Sequence, residues 1–285
     1  MLPWLNKQGD GRVSSRRRSV RADERRAVLT KRRKFVIVSA LLTIGLLVIQ
    51  RLSVESRYAA IAFFALAAYC LTAWSLFKEL RGVAWLTNLV LPTLYPTAVA
   101  LFYFLLPQAP LTQMIVLILF AVSMYGLLLT ANIFAVASIR TIQLLRAARA
   151  VGFLLSILAS AFLYHVIFSL HLPFYLVLLL TFVASYPLML AGAWSYHLSD
   201  RIGIEARYAL VGSLLVMEMA WALSFWLIEV PLASIVLAMV MYVVLGLFQH
   251  DLEERLFTRT VQEYLGFAGI VMIVVIISVM SHWAS

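Results

Sequence analysis

Long apolar runs separated by short polar connections make up most of this chain, and they leave it very few ways to fold. Nine runs read as membrane spans: Phe35–Gln50, Tyr58–Phe77, Val83–Leu106, Thr112–Ser138, Val151–Leu170, Pro173–Ser195, Tyr208–Ile228, Pro231–Phe248 and Leu265–Trp283. A helical crossing needs about 20 mostly apolar residues. The runs lack the two-residue alternation of a membrane β-barrel. The expected fold is therefore all-α, a polytopic bundle of nine transmembrane helices over residues 35–283. Composition excludes the alternatives. The chain is 64% apolar and 13% charged, whereas soluble domains are roughly half apolar and about a quarter charged. A water-soluble globule and a disordered chain are ruled out. A single cysteine rules out a disulfide scaffold, and Cys70, inside an apolar run, reads as a small core residue.

Charge sets the expected orientation. Residues 1–34 hold 12 of the 23 Lys and Arg and 3 of the 13 acids. This segment reads as a basic cytoplasmic tail, partly disordered. With the N-terminus in the cytoplasm, the later connections place nine bases inside and two (Arg51 and Arg57) outside. Removing the third span, which holds Pro92 and Pro96, reverses that split. The positive-inside rule thus favours nine crossings, the N-terminus cytoplasmic, the C-terminus outside, and a third span that crosses whole but kinked. The first run starts too far from the N-terminus for a cleavable signal peptide and reads as a signal anchor. Trp74, Trp85, Trp194, Trp226 and Trp283 fall near predicted span ends, as an interfacial aromatic belt would.

The tail block, including Arg16, Arg17, Arg18, Arg25 and Arg26, suits anionic headgroups, each base near such a surface being worth roughly 1 kcal/mol. Nothing beyond charge supports a nucleic-acid contact. Two connections have helical periodicity. Residues 140–150 present Arg140, Arg146 and Arg149 among apolar neighbours, and residues 251–264 place Leu252, Leu256, Val261 and Tyr264 on roughly one side. Both read as interfacial helices at the headgroups. The same arginines are candidate contacts for lipid or for a cytoplasmic protein partner.

Polar groups inside the spans are where function is expected to show. A charged group at mid-bilayer costs about 2.5–3.5 kcal/mol on insertion scales and is usually paired or functional. Glu218 is the one acid deep in a span, about 15 Å from the predicted inner end of the seventh at the helical rise. Asn132 lies about 9 Å in on the fourth, Asn88 about 7 Å in on the third, and His165 about 21 Å in on the fifth. These depths permit a polar cluster around Glu218. They equally suit separate interhelical hydrogen bonds. The prolines of the third span can free backbone carbonyls toward a cavity.

No catalytic, nucleotide-binding, metal-binding or paired-carboxylate motif occurs, and no cofactor or metal is expected. Two stretches, LTANIFAVASIRTIQLLRAARAVGFLL (129–155) and residues 222–265 with ALSFW, VLGLFQHDLEERLF and TVQEYL, resemble an uncharacterised family of multi-spanning bacterial membrane proteins, found largely in candidate-phylum bacteria. The resemblance covers roughly residues 85–265. It implies a bacterial cytoplasmic (inner) membrane and carries over no site residue. Three functions fit the sequence. The first is a membrane binding or scaffold protein, with Glu218 sealed in packed core. The second is a small permease or lipid flippase, with Glu218 in a wet cavity. The third is a lipid-modifying enzyme without a known motif.

Overall fold

The computed structural model describes residues 31–52, 54–80, 82–106, 109–137, 143–198, 202–226, 228–252 and 257–284. Among the described residues there are nine α-helices and no strand. They are α1 (Lys31–Gln50), α2 (Val54–Leu76), α3 (Ala84–Tyr103), α4 (Pro110–Ala137), α5 (Leu145–Ser169), α6 (Phe174–His197), α7 (Ile204–Ser224), α8 (Val230–Leu252) and α9 (Thr258–Ala284). Each is long and apolar enough to cross a membrane. The third is one continuous helix that contains both Pro92 and Pro96.

Several helices outrun their apolar segments. Helix α5 begins at Leu145 rather than Val151, α7 at Ile204 rather than Tyr208, and α9 at Thr258 rather than Leu265, while α8 continues to Leu252. Hydropathy marks the hydrocarbon, but backbone hydrogen bonding carries a helix on into the headgroups. This corrects the expected interfacial helices. Residues 145–150 are the first turns of α5, and residues 258–264 are the first turns of α9. Arg140 lies outside the described residues.

Helix α5 is the hub of the bundle, packing on α3, α4, α6 and α8. Its buried residues include Ala148, Gly152, Ser156 and Ser160, one small side chain every fourth position. Residues four apart share a helix face, and small residues let neighbouring backbones approach closely. Helix α2 joins through α3, α7 through α6 and α8, and α9 through α8. Helix α1 packs against α2 and α4: a Cβ at Gly45 would press on the Phe64 ring of α2, and Ser39 Oγ donates to the Ala121 carbonyl of α4 at 2.8 Å.

Polarity runs opposite to that of a soluble protein. Asn88, Ser156, Thr181, Ser185, Glu205 and Gln249 are buried, while Phe63, Leu111, Val122, Phe225 and Met280 are exposed. Hydrocarbon offers no hydrogen bonds, so polar groups turn inward and bond helix to helix. Tyr164 of α5 reaches Ser185 Oγ of α6 at 2.7 Å. Ser185 spends its own proton on the Thr181 carbonyl at 2.6 Å, so Tyr164 is the donor. Tyr95 of α3 likewise donates to Ser123 Oγ of α4 at 2.6 Å, because the Ser123 proton goes to the Leu119 carbonyl at 2.7 Å. Such interhelical bonds contribute about 0.6–2 kcal/mol each. Cys70 faces outward instead of into the core. Lipid accepts a small apolar side chain as readily as a core does.

The helix ends also sort by charge. One end carries Lys31–Lys34, Lys78, Arg146, Arg149, Arg207 and Arg259, tied across helices by the Lys31–Glu79 ion pair and the Tyr208–Asp251 hydrogen bond. Of the described bases, Arg51 and Arg57 lie at the other. These are the basic end and the opposite end below.

Helix α9 approaches α8 most closely at Gly246, with Tyr242 of α8 also against Phe267 of α9. A Cβ on Gly246 of α8 would lie 2.4 Å from Tyr264 Cε1, so the Tyr264 ring rests directly on the α8 backbone. Gly246→Ala is expected to overpack this contact and lower stability by about 1 kcal/mol or more. In a Tyr264→Ala background the same substitution should have no further effect. Thermal unfolding of the four proteins in detergent checks this, and additive losses would contradict it.

Candidate functional site

The four intramembrane candidates separate into an interior group and an outward one. Asn88 is buried on α3 near the basic end, and its Nδ2 donates to the Ala131 carbonyl of α4 at 2.8 Å. Asn132 follows on α4, half-buried, with no hydrogen-bond partner for its Oδ1 among the described residues. His165 sits near the opposite end of α5, with Nδ1 3.3 Å from Ser234 Oγ of α8 and its ring edge-on to Phe102 of α3. Ser234 gives its proton to the Pro231 carbonyl at 2.8 Å, so the imidazole donates through Nδ1–H. Glu218 is exposed on the outside of α7. That helix packs on α6 and α8, away from α3 and α4. No cluster forms around Glu218, which is neither sealed in core nor inside a cavity.

Asn88 does mark an interior chamber. A cavity of about 30 Å³ lies between α3, α4, α5 and α6, lined in part by Asn88, Pro92, Thr130, Ser156, Trp194 and Ser195. A single water needs roughly 10–15 Å³. Proline has no N–H, so the carbonyls four residues before Pro92 and Pro96, those of Asn88 and Pro92, lose their helical donors. Both residues line the chamber. Hydroxyls, an amide and freed carbonyls can hold water or a small polar solute there. The chamber is too small for a lipid headgroup. Trp194 is buried, so it belongs to this interior rather than to an aromatic belt.

Beside the chamber, at the basic end, lies a polar lock absent from the sequence reading. Arg149 of α5 donates through Nη2 to the Tyr196 carbonyl at 2.8 Å and through Nε to the Ser195 carbonyl at 3.4 Å, with its guanidinium 4.5 Å from the Tyr196 ring centre. It caps the C-terminal turn of α6, where a cation also meets the negative end of the helix dipole. Arg149 is thus engaged within the bundle and is not a free headgroup contact. Next to it, His197 Nδ1 lies 3.2 Å from Glu205 Oε1, and Glu205 Oε2 accepts the Gly203 N–H at 3.3 Å. Glu205 is 2% exposed and stands in the first turn of α7, where the dipole favours an acid. Gln249 of α8 completes the tie, its Nε2 3.4 Å from the Gly192 carbonyl. The readable signal was an acid two residues after Gly203, a helix-start pattern hidden because the apolar run begins at Tyr208.

Arg146 is exposed at the start of α5. Arg16, Arg17, Arg18, Arg25 and Arg26 lie outside the described residues. At the opposite end a cleft of about 320 Å³ opens between the α5–α6 and α7–α8 connections, lined largely by apolar side chains with His171 and Trp226 at its edge. Among the described residues no three His, Cys, Asp or Glu side chains converge on a metal-sized site.

The lock makes a ranked prediction. Glu205→Ala removes the buried carboxyl that meets both His197 and the Gly203 N–H and leaves its site empty, and is expected to destabilise by about 1–3 kcal/mol. His197→Ala removes a half-exposed partner and is expected to lose less than about 1 kcal/mol. Unfolding midpoints in detergent read the order, and a larger loss for His197→Ala would contradict the assignment.

Comparison with curated proteins and with solved structures gives no match. One family matches over residues 36–278, which takes in all but a few residues of the helical bundle and leaves out the basic tail. Its description is "Protein of unknown function (DUF5656)". This multi-spanning helical chain therefore belongs to the DUF5656 family.

Proposed function

We propose that the protein is a binding scaffold of the membrane, one that docks partners within and at the surface of the bilayer. Glu218 carries this reading, from the outer surface of the bundle rather than from the packed core where the sequence alone placed it for a scaffold. It lies 10 residues beyond Tyr208 and 8 before Trp226, so about 15 Å and about 12 Å from those two interfacial aromatics. That is the middle of a hydrocarbon layer about 30 Å thick. No described residue hydrogen-bonds or ion-pairs with its carboxyl. An acid at that depth needs a polar partner, and here the partner has to come from outside the chain's own bundle.

The interior supports the same reading. Its polar groups are largely spent on bonds within a helix, as Ser156 to the Gly152 carbonyl, or between helices, as Asn88 to the Ala131 carbonyl, and the chamber near Asn88 holds little more than water. A permease that used Glu218 would need that carboxyl to line a path, and it stands on the outer surface. The basic end adds a second docking surface: Arg32, Arg33 and Arg146 are exposed and suit anionic headgroups, each contributing roughly 1 kcal/mol near such a surface. The charge sorting favours a cytoplasmic basic end by the positive-inside rule, in a bacterial inner membrane.

Thiol labelling of intact cells tests closure and orientation together. In a Cys70→Ala background, a membrane-impermeant thiol reagent is expected to label His171→Cys from outside. Lys78→Cys should react only after the cells are opened. Ser156→Cys, at the chamber, should react only after denaturation. Labelling of Ser156→Cys in native membranes would replace the scaffold reading with a conduit. Labelling of Lys78→Cys in intact cells would reverse the orientation.

A further inference from the structure

We infer that the outer face of α7 is a self-association surface, on which two copies of this chain pack α7 against α7 with their Glu218 side chains in contact at mid-bilayer. This rests on reading Glu218 as a docking residue, and it adds what the occupant is.

The face is continuous. At 100° per residue, Val211, Leu214, Leu215, Trp221, Ala222 and Phe225 all fall within about 60° of Glu218. Every one of them is exposed. Positions 211, 218 and 225 are seven apart, and so are 214 and 221, the spacing of a helix-pairing seam. Trp221 and Phe225 already meet edge to face, with ring centres 5.6 Å apart, which braces one end of the seam. Glu218 is at its centre. Elsewhere the described outer surface at mid-span carries no charged side chain, as on α2 around Leu66 and on α4 around Val122.

A second copy satisfies Glu218 without any new chemistry. Two chains inserted with the same topology are related by a two-fold axis along the membrane normal, so residue 218 of each lies at the same depth. Such an interface is isologous, and a residue near the axis meets its own counterpart. Two carboxyl groups in contact hydrogen-bond through a proton held between them, which neither can do against lipid. A mid-bilayer acid is costly to leave facing lipid, and pairing removes that exposure from both copies at once. The alternative occupant is a foreign helix carrying a base at mid-span. It requires that partner to match the depth of Glu218 independently, which the two-fold arrangement supplies by construction.

Disulfide trapping of the full chain in its membranes tests the inference. In a Cys70→Ala background, single cysteines are placed on the seam (Leu214→Cys and Ala222→Cys) and on other exposed surfaces (Leu66→Cys and Val122→Cys). Mild oxidation is expected to link seam cysteines into dimers at least tenfold faster than the control sites. Glu218→Leu should lower seam cross-linking to the control rate. Glu218→Gln, whose amide also donates and accepts, should retain most of it. Both substitutions lie on the exposed face, so the bundle itself should fold in each. Seam cross-linking no faster than at the control sites would overturn the inference, as would full cross-linking in Glu218→Leu. Particle mass in lipid nanodiscs then separates the two readings. A wild-type particle heavier than 32.1 kDa of protein that Glu218→Leu lightens, without seam dimers, would assign the face to a different chain. A single-chain mass for both would remove the docking reading as well.

Discussion

Hydrocarbon cannot complete a hydrogen bond, and the architecture of this chain follows from that constraint. Backbone groups are satisfied within nine long helices. Side-chain groups are satisfied by turning them inward, where Tyr164 meets Ser185, Tyr95 meets Ser123, Asn88 meets Ala131 and His165 meets Ser234. These bonds join different helices, so satisfying polarity and assembling the bundle are one process. On α5 the small-residue stripe lets neighbouring backbones approach closely, and Tyr164 and His165 of the same helix reach across to α6 and α8.

Against this background two places stand out. At the basic end, Arg149, His197, Glu205 and Gln249 form a lock that fastens α5, α6, α7 and α8 where the helices leave the hydrocarbon. Charged groups suit that depth, since headgroups and water lie nearby. At mid-depth, Glu218 has no such support and faces out of the bundle. The first site is structural by its contacts. On the proposed scaffold reading, the second is where an external partner docks.

The fold was largely legible in the sequence, because span length and apolar content are dictated by bilayer thickness rather than by tertiary detail. The third crossing is the clearest case: the count of basic residues on either side required it despite two prolines, and α3 runs unbroken through both. Helix ends were less legible, since hydropathy ends at the hydrocarbon and the helices do not, as α5 and α9 demonstrate. The direction of each side chain was the least legible. In a soluble protein an apolar run with a polar stripe shows which face is buried. Here both faces of most helices are apolar, so nothing in the runs separated Glu218 and Cys70, which face out, from Trp194, which faces in. The small-residue spacing of Ala148, Gly152, Ser156 and Ser160 was available as a signal of the buried face of α5, and it points correctly. Glu205 was hidden for the opposite reason, lying outside the apolar run that defined its helix.

If Glu218 is a docking residue, it is covered in the native membrane, although the isolated bundle leaves it exposed. Unfolding of the full-length protein in lipid bilayers, wild type against Glu218→Leu, tests this most directly. A carboxyl that faces lipid is a liability, and its replacement by leucine would raise stability. A carboxyl that is hydrogen-bonded across an interface contributes to stability, and its replacement would lower it. A docked Glu218 gives a lower unfolding midpoint for Glu218→Leu, and a higher midpoint would mean that Glu218 faces lipid.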